Sequence, residues 1–184
     1  AQRMWVTFSI YLTVIGWAYA IGTMLAMLQD RSCRQALAVR RFASRVRALK
    51  EPFVLVAGYG RAGRRLARSL DAIDRRFVVV DVAQDRIDEL ALEPFRVDVP
   101  ALAIDARNPD HLMLAGLGNP ACATVVALTG DDEANLAVTM AAALQRPGLP
   151  VIARAESPVV VERMRAFGDP VVVNPFDLYG DYLR

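Results

Sequence analysis

Apolar residues follow three different rhythms along this chain. From Met4 to Leu28 they form a 25-residue stretch without one charged side chain, 19 of them apolar. From Arg31 to Lys50 the apolar positions Ala36, Leu37, Val39, Phe42, Ala43, Val46 and Leu49 recur at helical spacing, with arginines between them. After Glu51-Pro52 the rhythm becomes short valine-rich runs alternating with helical patterns. Phe53–Ala57, Phe77–Val80, Ala101–Ile104, Thr124–Leu128, Val151–Ala153 and Val171–Val173 read as strands, apolar on both faces as in a parallel sheet covered by helices. Helices are expected near Arg61–Ile73, Gln84–Leu92, Pro109–Ala115, Asp132–Leu144 and Pro158–Phe167. Asn108-Pro109, Ser157-Pro158 and Asn174-Pro175 each place a capping residue before a first-turn proline. Regular strand–helix alternation implies an α/β fold with a doubly wound parallel sheet. The expected organisation is a membrane helix over 1–29, a basic helical linker over 30–51 and an α/β domain over 52–184.

A helix of about 25 residues is roughly 37 Å long, and a bilayer's hydrocarbon core is about 30 Å, so Met4–Leu28 is expected to span with some tilt. Gly16 and Gly22 lack the spacing of a GxxxG packing face. Seven basic residues and no acidic one lie between Arg31 and Lys50. Basic flanks stay cytoplasmic, which places the C-terminal part in the cytoplasm below the cell membrane. The arginine-studded linker is expected to ride on anionic lipid headgroups and to transmit movement between membrane and domain. Residues 51–184 carry 14 basic and 19 acidic groups, so the formal charge of +2 is the difference between a basic collar and an acidic domain. The basic balance therefore points to no nucleic-acid partner. Cys33 and Cys122 alone support neither a disulfide framework nor a metal site, and a reducing compartment fits them. The first residue is Ala1 and the tail from Phe176 stops in mid-pattern, which leads to the expectation of a piece of a longer protein.

The strongest chemical signal is Gly58-Tyr59-Gly60-Arg61-Ala62-Gly63, set between an expected strand and an expected helix. In that setting Gly58 allows a tight turn, Gly60 lets a pyrophosphate approach the backbone, and Gly63 lets the helix pack on the strand. The phosphates would rest on free amides at the helix N-terminus, with Arg61 as the added cation. Arg64 and Arg65 read as solvated surface residues. The second strand ends in Asp81-Val82, 21 positions after Gly60. A carboxylate there accepts both ribose hydroxyls of an adenosine and repels a 2′-phosphate, which disfavours NADP. Asp105-Ala106 closes the third strand, where an adenine edge would lie. Thr129 and Arg154 end the fourth and fifth strands, within reach of phosphate or a second ribose. Thr129 is equally readable as a helix cap beside Asp131, and Arg154 as a partner of Glu156.

Acid–base chemistry is sparse. Lys50, in the linker, is the only lysine, and His111 the only histidine. No Ser-His-Asp set and no metal-ligand spacing appears. A nucleotide site without such an apparatus is expected to sense rather than to catalyse.

These residues resemble the TrkA-N type RCK domain, the regulator of potassium conductance. The resemblance is carried by Glu51-Pro52-Phe53, the glycine loop, Asp81, Asp105-Ala106, the Thr129-to-Leu136 run Thr-Gly-Asp-Asp-Glu-Ala-Asn-Leu, Ile152-Ala153-Arg154-Ala155 and Asn174-Pro175-Phe176. The apolar helix and basic linker resemble the inner pore helix of a two-helix potassium channel. The resemblance implies a Rossmann-like domain that holds NAD(H) or another adenine nucleotide such as ATP or ADP. It also implies domains paired as homo-oligomers into a gating ring under a tetrameric pore that passes K+. Ile104 departs from the pattern, since the family usually has Gly before the Asp-Ala pair, and its side chain narrows the adenine pocket. A regulatory domain of a Kef-type antiporter or a Trk-type uptake system is the alternative. A membrane-anchored NAD-dependent oxidoreductase is a third reading.

Overall fold

The computed structural model describes residues 2–29 and 31–174, and the chain divides into two compact units at Arg40/Arg41. In the first unit, α1 (Gln2–Gln29) is one long helix. Its large side chains, among them Trp5, Tyr11, Trp17 and Tyr19, stand exposed on every side. Thr13 and Thr23 donate their hydroxyls to the carbonyls of Ser9 and Tyr19, at 2.8 and 2.5 Å, so these polar groups are satisfied within the helix. Met4–Leu25 is long and apolar enough to cross a membrane.

A second helix, α2 (Arg31–Ala48), runs across the division between the units. In the second unit the strands and helices alternate as β1 (Phe53–Ala57), α3 (Arg61–Ala72), β2 (Arg76–Asp81), α4 (Gln84–Leu92), β3 (Ala101–Ala103), α5 (Pro109–Leu114), β4 (Cys122–Ala127), α6 (Asp132–Gln145), β5 (Val151–Arg154), α7 (Pro158–Arg165) and β6 (Val171–Val173). Every neighbouring pair of strands is parallel, in the order β3-β2-β1-β4-β5-β6. This is the doubly wound Rossmann order expected from the alternation. It reverses direction between β1 and β4, which opens a crevice at the carboxyl ends of those strands.

Alternation along the strands divides the core. Val54, Val56, Phe77, Val79 and Val126 pack with Ala67 and Leu70 of α3 and with Ile87 and Leu90 of α4. Phe95 closes this layer, its ring edge-on to Phe77 with centroids 5.5 Å apart. Asp71 of α3 accepts from the amides of Arg96 and Val97 at 2.7 and 3.1 Å, which fixes the loop into β3.

Two capping expectations are resolved differently. Asn108 caps α5, accepting from the amide of Asp110 at 2.9 Å. Ser157 stands at the N-cap of α7 but makes no side-chain cap. Its own amide is instead taken by Asp132 at 2.8 Å, so the loop is held from α6. The helix expected from Pro175, and the tail from Phe176, lie outside the described residues. β4 begins at Cys122, ahead of the expected Thr124, because its register with β1 shifts between Phe53 and Val54 and admits one more pair.

The largest departure concerns the linker. Phe42, Ala43 and Val46 do not face lipid: they are buried in the second unit. The side-chain amide of Asn119 donates to the carbonyls of Val46 and Leu49, at 3.2 and 3.5 Å, so the α5–β4 loop caps the end of α2. Arg45 grips Asp98 with both Nε and Nη2. That pair is exposed and adds little, so the apolar contact carries the docking. Ala36 and Leu37, in the first unit, remain exposed. Truncating Phe42 to Ala is therefore expected to destabilise the domain by about 3 kcal/mol in urea unfolding. A change below about 0.5 kcal/mol, typical of a solvated surface, would show that α2 is only a tether.

Candidate functional site

At the end of β1 the chain turns through Gly58, whose φ of 103° is open to glycine but costly for other residues. A Cβ on Gly58 would meet the amide of Thr129 at 2.8 Å. On Gly63 a Cβ would overlap the carbonyl oxygen of Gly58. So α3 starts pressed against the strand end because position 63 lacks a side chain. Gly60 is its N-cap and supplies no side-chain hydrogen bond, which leaves the first-turn amides of Arg61, Ala62 and Gly63 for a ligand. At Gly60 a Cβ would meet nothing nearer than Nη1 of Arg86 at 3.9 Å, so there is room for a phosphate against the backbone. These features fit a pyrophosphate group.

Tyr59 has a different role from its neighbours in the loop. Its ring is fully buried in the α3–α4 layer, and its amide donates to Oδ2 of Asp81 at 2.6 Å. Burial, reinforced by the nearby Glu93 carboxylate, pushes the Tyr59 phenol up to about 12. Arg64 lies over the ring, 5.6 Å from its centroid, and is ion-paired with Glu89. Arg64 is thus a packed residue, not the solvated one expected. Arg61 and Arg65 are exposed.

Asp81 ends β2 with its side chain only 2% exposed. Its Oδ1 accepts from the amide of Ala83 at 2.9 Å. Its Oδ2 also receives Nη1 of Arg86, from the first turn of α4, at 3.2 Å. Val82 is exposed beside it. Beyond the third strand, the Asp105 side chain accepts from the amide of Arg107 at 2.9 Å, while Ala106 is buried. Ile104 is half-buried and donates its amide to the Asp81 carbonyl at 2.9 Å. Nη2 of Arg107 then crosses to Asp131, 2.6 Å away, linking the loops after β3 and β4 across the mouth.

The far side of the crevice is organised by Asn135, which is fully buried. Its Oδ1 accepts from the amide and hydroxyl of Thr129 at 2.9 and 2.8 Å. Its Nδ2 donates to the carbonyls of Thr129 and Arg154 at 3.1 and 2.9 Å. One amide thus ties the ends of β4 and β5 together with every polar position used. The Thr129 hydroxyl is committed to this network, and Asp131 caps α6 by accepting from the amide of Glu133 at 3.0 Å. Arg154 is ion-paired with Glu156 and reaches the Thr129 carbonyl at 3.5 Å. The crevice thus gathers Gly58, Gly60, Arg61, Ala62, Gly63, Asp81, Thr129 and Arg154, with Tyr59 serving through its backbone. Arg86, Arg107 and Asn135 were not among the expected site residues. A cation five positions after the strand-end acid was the available signal for Arg86, and the Thr-Gly-Asp-Asp-Glu-Ala-Asn run was the signal for Asn135.

Residues 54–175 match the TrkA-N domain family. The chain belongs to that family. The chain is similar to potassium channel protein 1 of Methanocaldococcus jannaschii, 23% identical over 163 residues, covering 89% of this chain and 47% of that protein. It is also similar to a protein of Alkalimonas amylolytica named as the K(+) efflux antiporter KefB, 29% identical over 121 residues, covering 65% of this chain and 17% of the relative. The chain thus spans about half, or less, of these relatives. Among solved structures, the GsuK channel bound to NAD shares the fold with a TM-score of 0.62 at 23% identity, covering 74% of this chain and 24% of that one. GsuK bound to ADP gives a TM-score of 0.58 at 23% identity, covering 79% and 37%. The TrkA-N domain is a nucleotide-binding fold used in potassium transport systems.

Two measurements test this geometry. Replacing Asn135 by Ala orphans the Thr129 amide and the Arg154 carbonyl, and is expected to cost about 3 kcal/mol in urea unfolding. For Tyr59 the folded state holds its proton more tightly than an ordinary tyrosine near 10. Its contribution is fully present below pH 10 and is lost as pH rises toward 12. Tyr59→Phe is therefore expected to flatten the loss of stability across that window, read by unfolding at several alkaline pH values.

Proposed function

We propose that this chain is the regulatory part of a ligand-gated potassium channel subunit. Its N-terminal helix is the inner pore helix in the cell membrane, and its TrkA-N domain is a cytoplasmic sensor of an adenine nucleotide, NAD(H) or ATP/ADP. The observation that carries this reading is the extent of the match to the Methanocaldococcus channel protein. A similarity covering 89% of the chain must extend upstream of residue 54 into the linker and apolar helix, whereas the KefB similarity covers no more than a domain's length. GsuK, solved with NAD and with ADP, supports the choice of ligand.

In this reading the amides of Arg61, Ala62 and Gly63 hold the phosphates, with Arg61 adding charge. Asp81 and Val82 flank the ribose, Asp105 and Ala106 border the adenine, and Arg154 faces the second half of the ligand beside Thr129, which holds the end of β4 in place through Asn135. In this reading the domain binds the nucleotide and does not turn it over. Bound nucleotide would change how paired domains of a homo-oligomer fit together. That change shifts the open and closed populations of a tetrameric, K+-conducting pore by the difference in affinity between the two states. Because Phe42 and Val46 are buried in the domain, the second half of α2 moves with it.

Calorimetry on the full chain in detergent is expected to detect binding of at least one of NAD, NADH, ATP and ADP, weakened about tenfold or more by Asp81→Ala. No binding of any of the four would overturn the sensor. Potassium flux from proteoliposomes of the whole subunit is expected to respond to the same nucleotide, and flux indifferent to it would overturn the gating.

A further inference from the structure

Asp81 is expected from its position to accept two ribose hydroxyls, yet it does not offer a bare carboxylate edge. A carboxylate has about four acceptor positions. Here the amides of Tyr59 and Ala83 and the guanidinium of Arg86 take three of them, at 2.6, 2.9 and 3.2 Å. The carboxylate is buried, while the Arg86 side chain is 47% exposed above it. What a ribose meets at this edge is therefore a cation. The negative charge that would repel a phosphate on the 2′ oxygen is already neutralised by hydrogen bonds and an ion pair.

The surroundings extend that positive edge. A cleft of about 560 Å³ opens beside Gly60, between α3 and α4, with Arg61, Arg65 and Arg86 on its walls. Arg64 and Arg68 also line it but are ion-paired with Glu89 and Glu93. Glu89 is thus neutralised by Arg64, and Asp85 is the remaining acidic residue on the walls. Arg61 and Arg65 make no ion pair among the described residues. The guanidinium of Arg86 sits where this cleft meets the glycine loop, 3.9 Å from the place a Cβ on Gly60 would take. A nucleotide with its pyrophosphate on α3 would turn its ribose toward that guanidinium.

We infer that this cleft takes a phosphate carried on the ribose of the bound nucleotide, so that the domain binds 2′-phosphorylated adenine nucleotides, of the NADP(H) type, more tightly than their unphosphorylated counterparts. The inference rests on the glycine loop being the nucleotide site. Arg86 is the discriminating residue: its Nη1 stays on Asp81, and the remaining N–H donors of its fork face the 2′-phosphate. Arg61 and Arg65 supply supporting charge. The same guanidiniums would suit the terminal phosphates of ATP, so the probes must separate phosphate on the 2′ oxygen from phosphate on the 5′ chain.

The experiment is calorimetry on the full chain in detergent with 5′-AMP, 2′,5′-ADP, ADP and ATP. In the native chain 2′,5′-ADP is expected to bind about tenfold more tightly than 5′-AMP and more tightly than ADP. Arg86→Ala is expected to bring the ratio of 2′,5′-ADP to 5′-AMP affinity to within about twofold of one, and Arg86→Lys to retain part of it, because a point charge replaces the fork. Equal affinities for 2′,5′-ADP and 5′-AMP in the native chain would overturn the inference and leave the nucleotide site standing. So would tightening that follows the number of 5′-phosphates alone, or a preference that survives Arg86→Ala. Failure of all four probes to bind would overturn the nucleotide reading and this inference with it.

Discussion

The whole site depends on how closely α3 approaches the end of β1. A side chain at position 63 would collide with the carbonyl of Gly58, so the first turn rests directly on the strand. That contact aims the uncapped amides of Arg61, Ala62 and Gly63 into the crevice. It also carries the Tyr59 amide to within 2.6 Å of Asp81, which ties the loop to the end of β2. Two strands, one helix and the glycine turn are thereby locked in one geometry by a van der Waals constraint, before any charge is considered.

The two walls of the crevice use different physics. On the β2 side a buried carboxylate is held by two amides and a guanidinium, an arrangement whose desolvation cost is met only while all three donors stay in place. On the β4 and β5 side the work is done by a neutral amide, Asn135, whose polar positions are all satisfied. A neutral, complete network tolerates changes of ionic strength that would disturb a charged one. The β2 wall is therefore the one that can answer to a ligand's charge, while the other maintains the register of the strands.

Much of this was readable in the sequence. Strand and helix alternation, the parallel sheet and the glycine loop all follow from local periodicity and from glycine at positions that demand it. Asp81 was readable because strand ends have fixed geometry relative to the loop. Three features were not. Tyr59 reads as part of a binding loop, but its ring faces the α3–α4 core, a matter of tertiary direction. Thr129 reads as a ligand contact, but Asn135, on the following helix, claims its hydroxyl. Phe42, Ala43 and Val46 show helical spacing that suits a lipid surface and a protein surface equally; only their burial in the folded domain and the Asn119 cap decide between them.

The docked half of α2 has a mechanical consequence. A chain segment between a sensor and its target ordinarily acts as a spring in series, and whatever it stretches is motion lost on the way. From Arg41 onward this segment belongs to the body of the TrkA-N domain, since its apolar face is buried there and its last carbonyls are capped from the α5–β4 loop. Its stiffness is then that of a folded core rather than of a free helix. Whatever moves the domain therefore moves this half of α2 with it, and any give in the segment begins at Arg41 and not at Phe53.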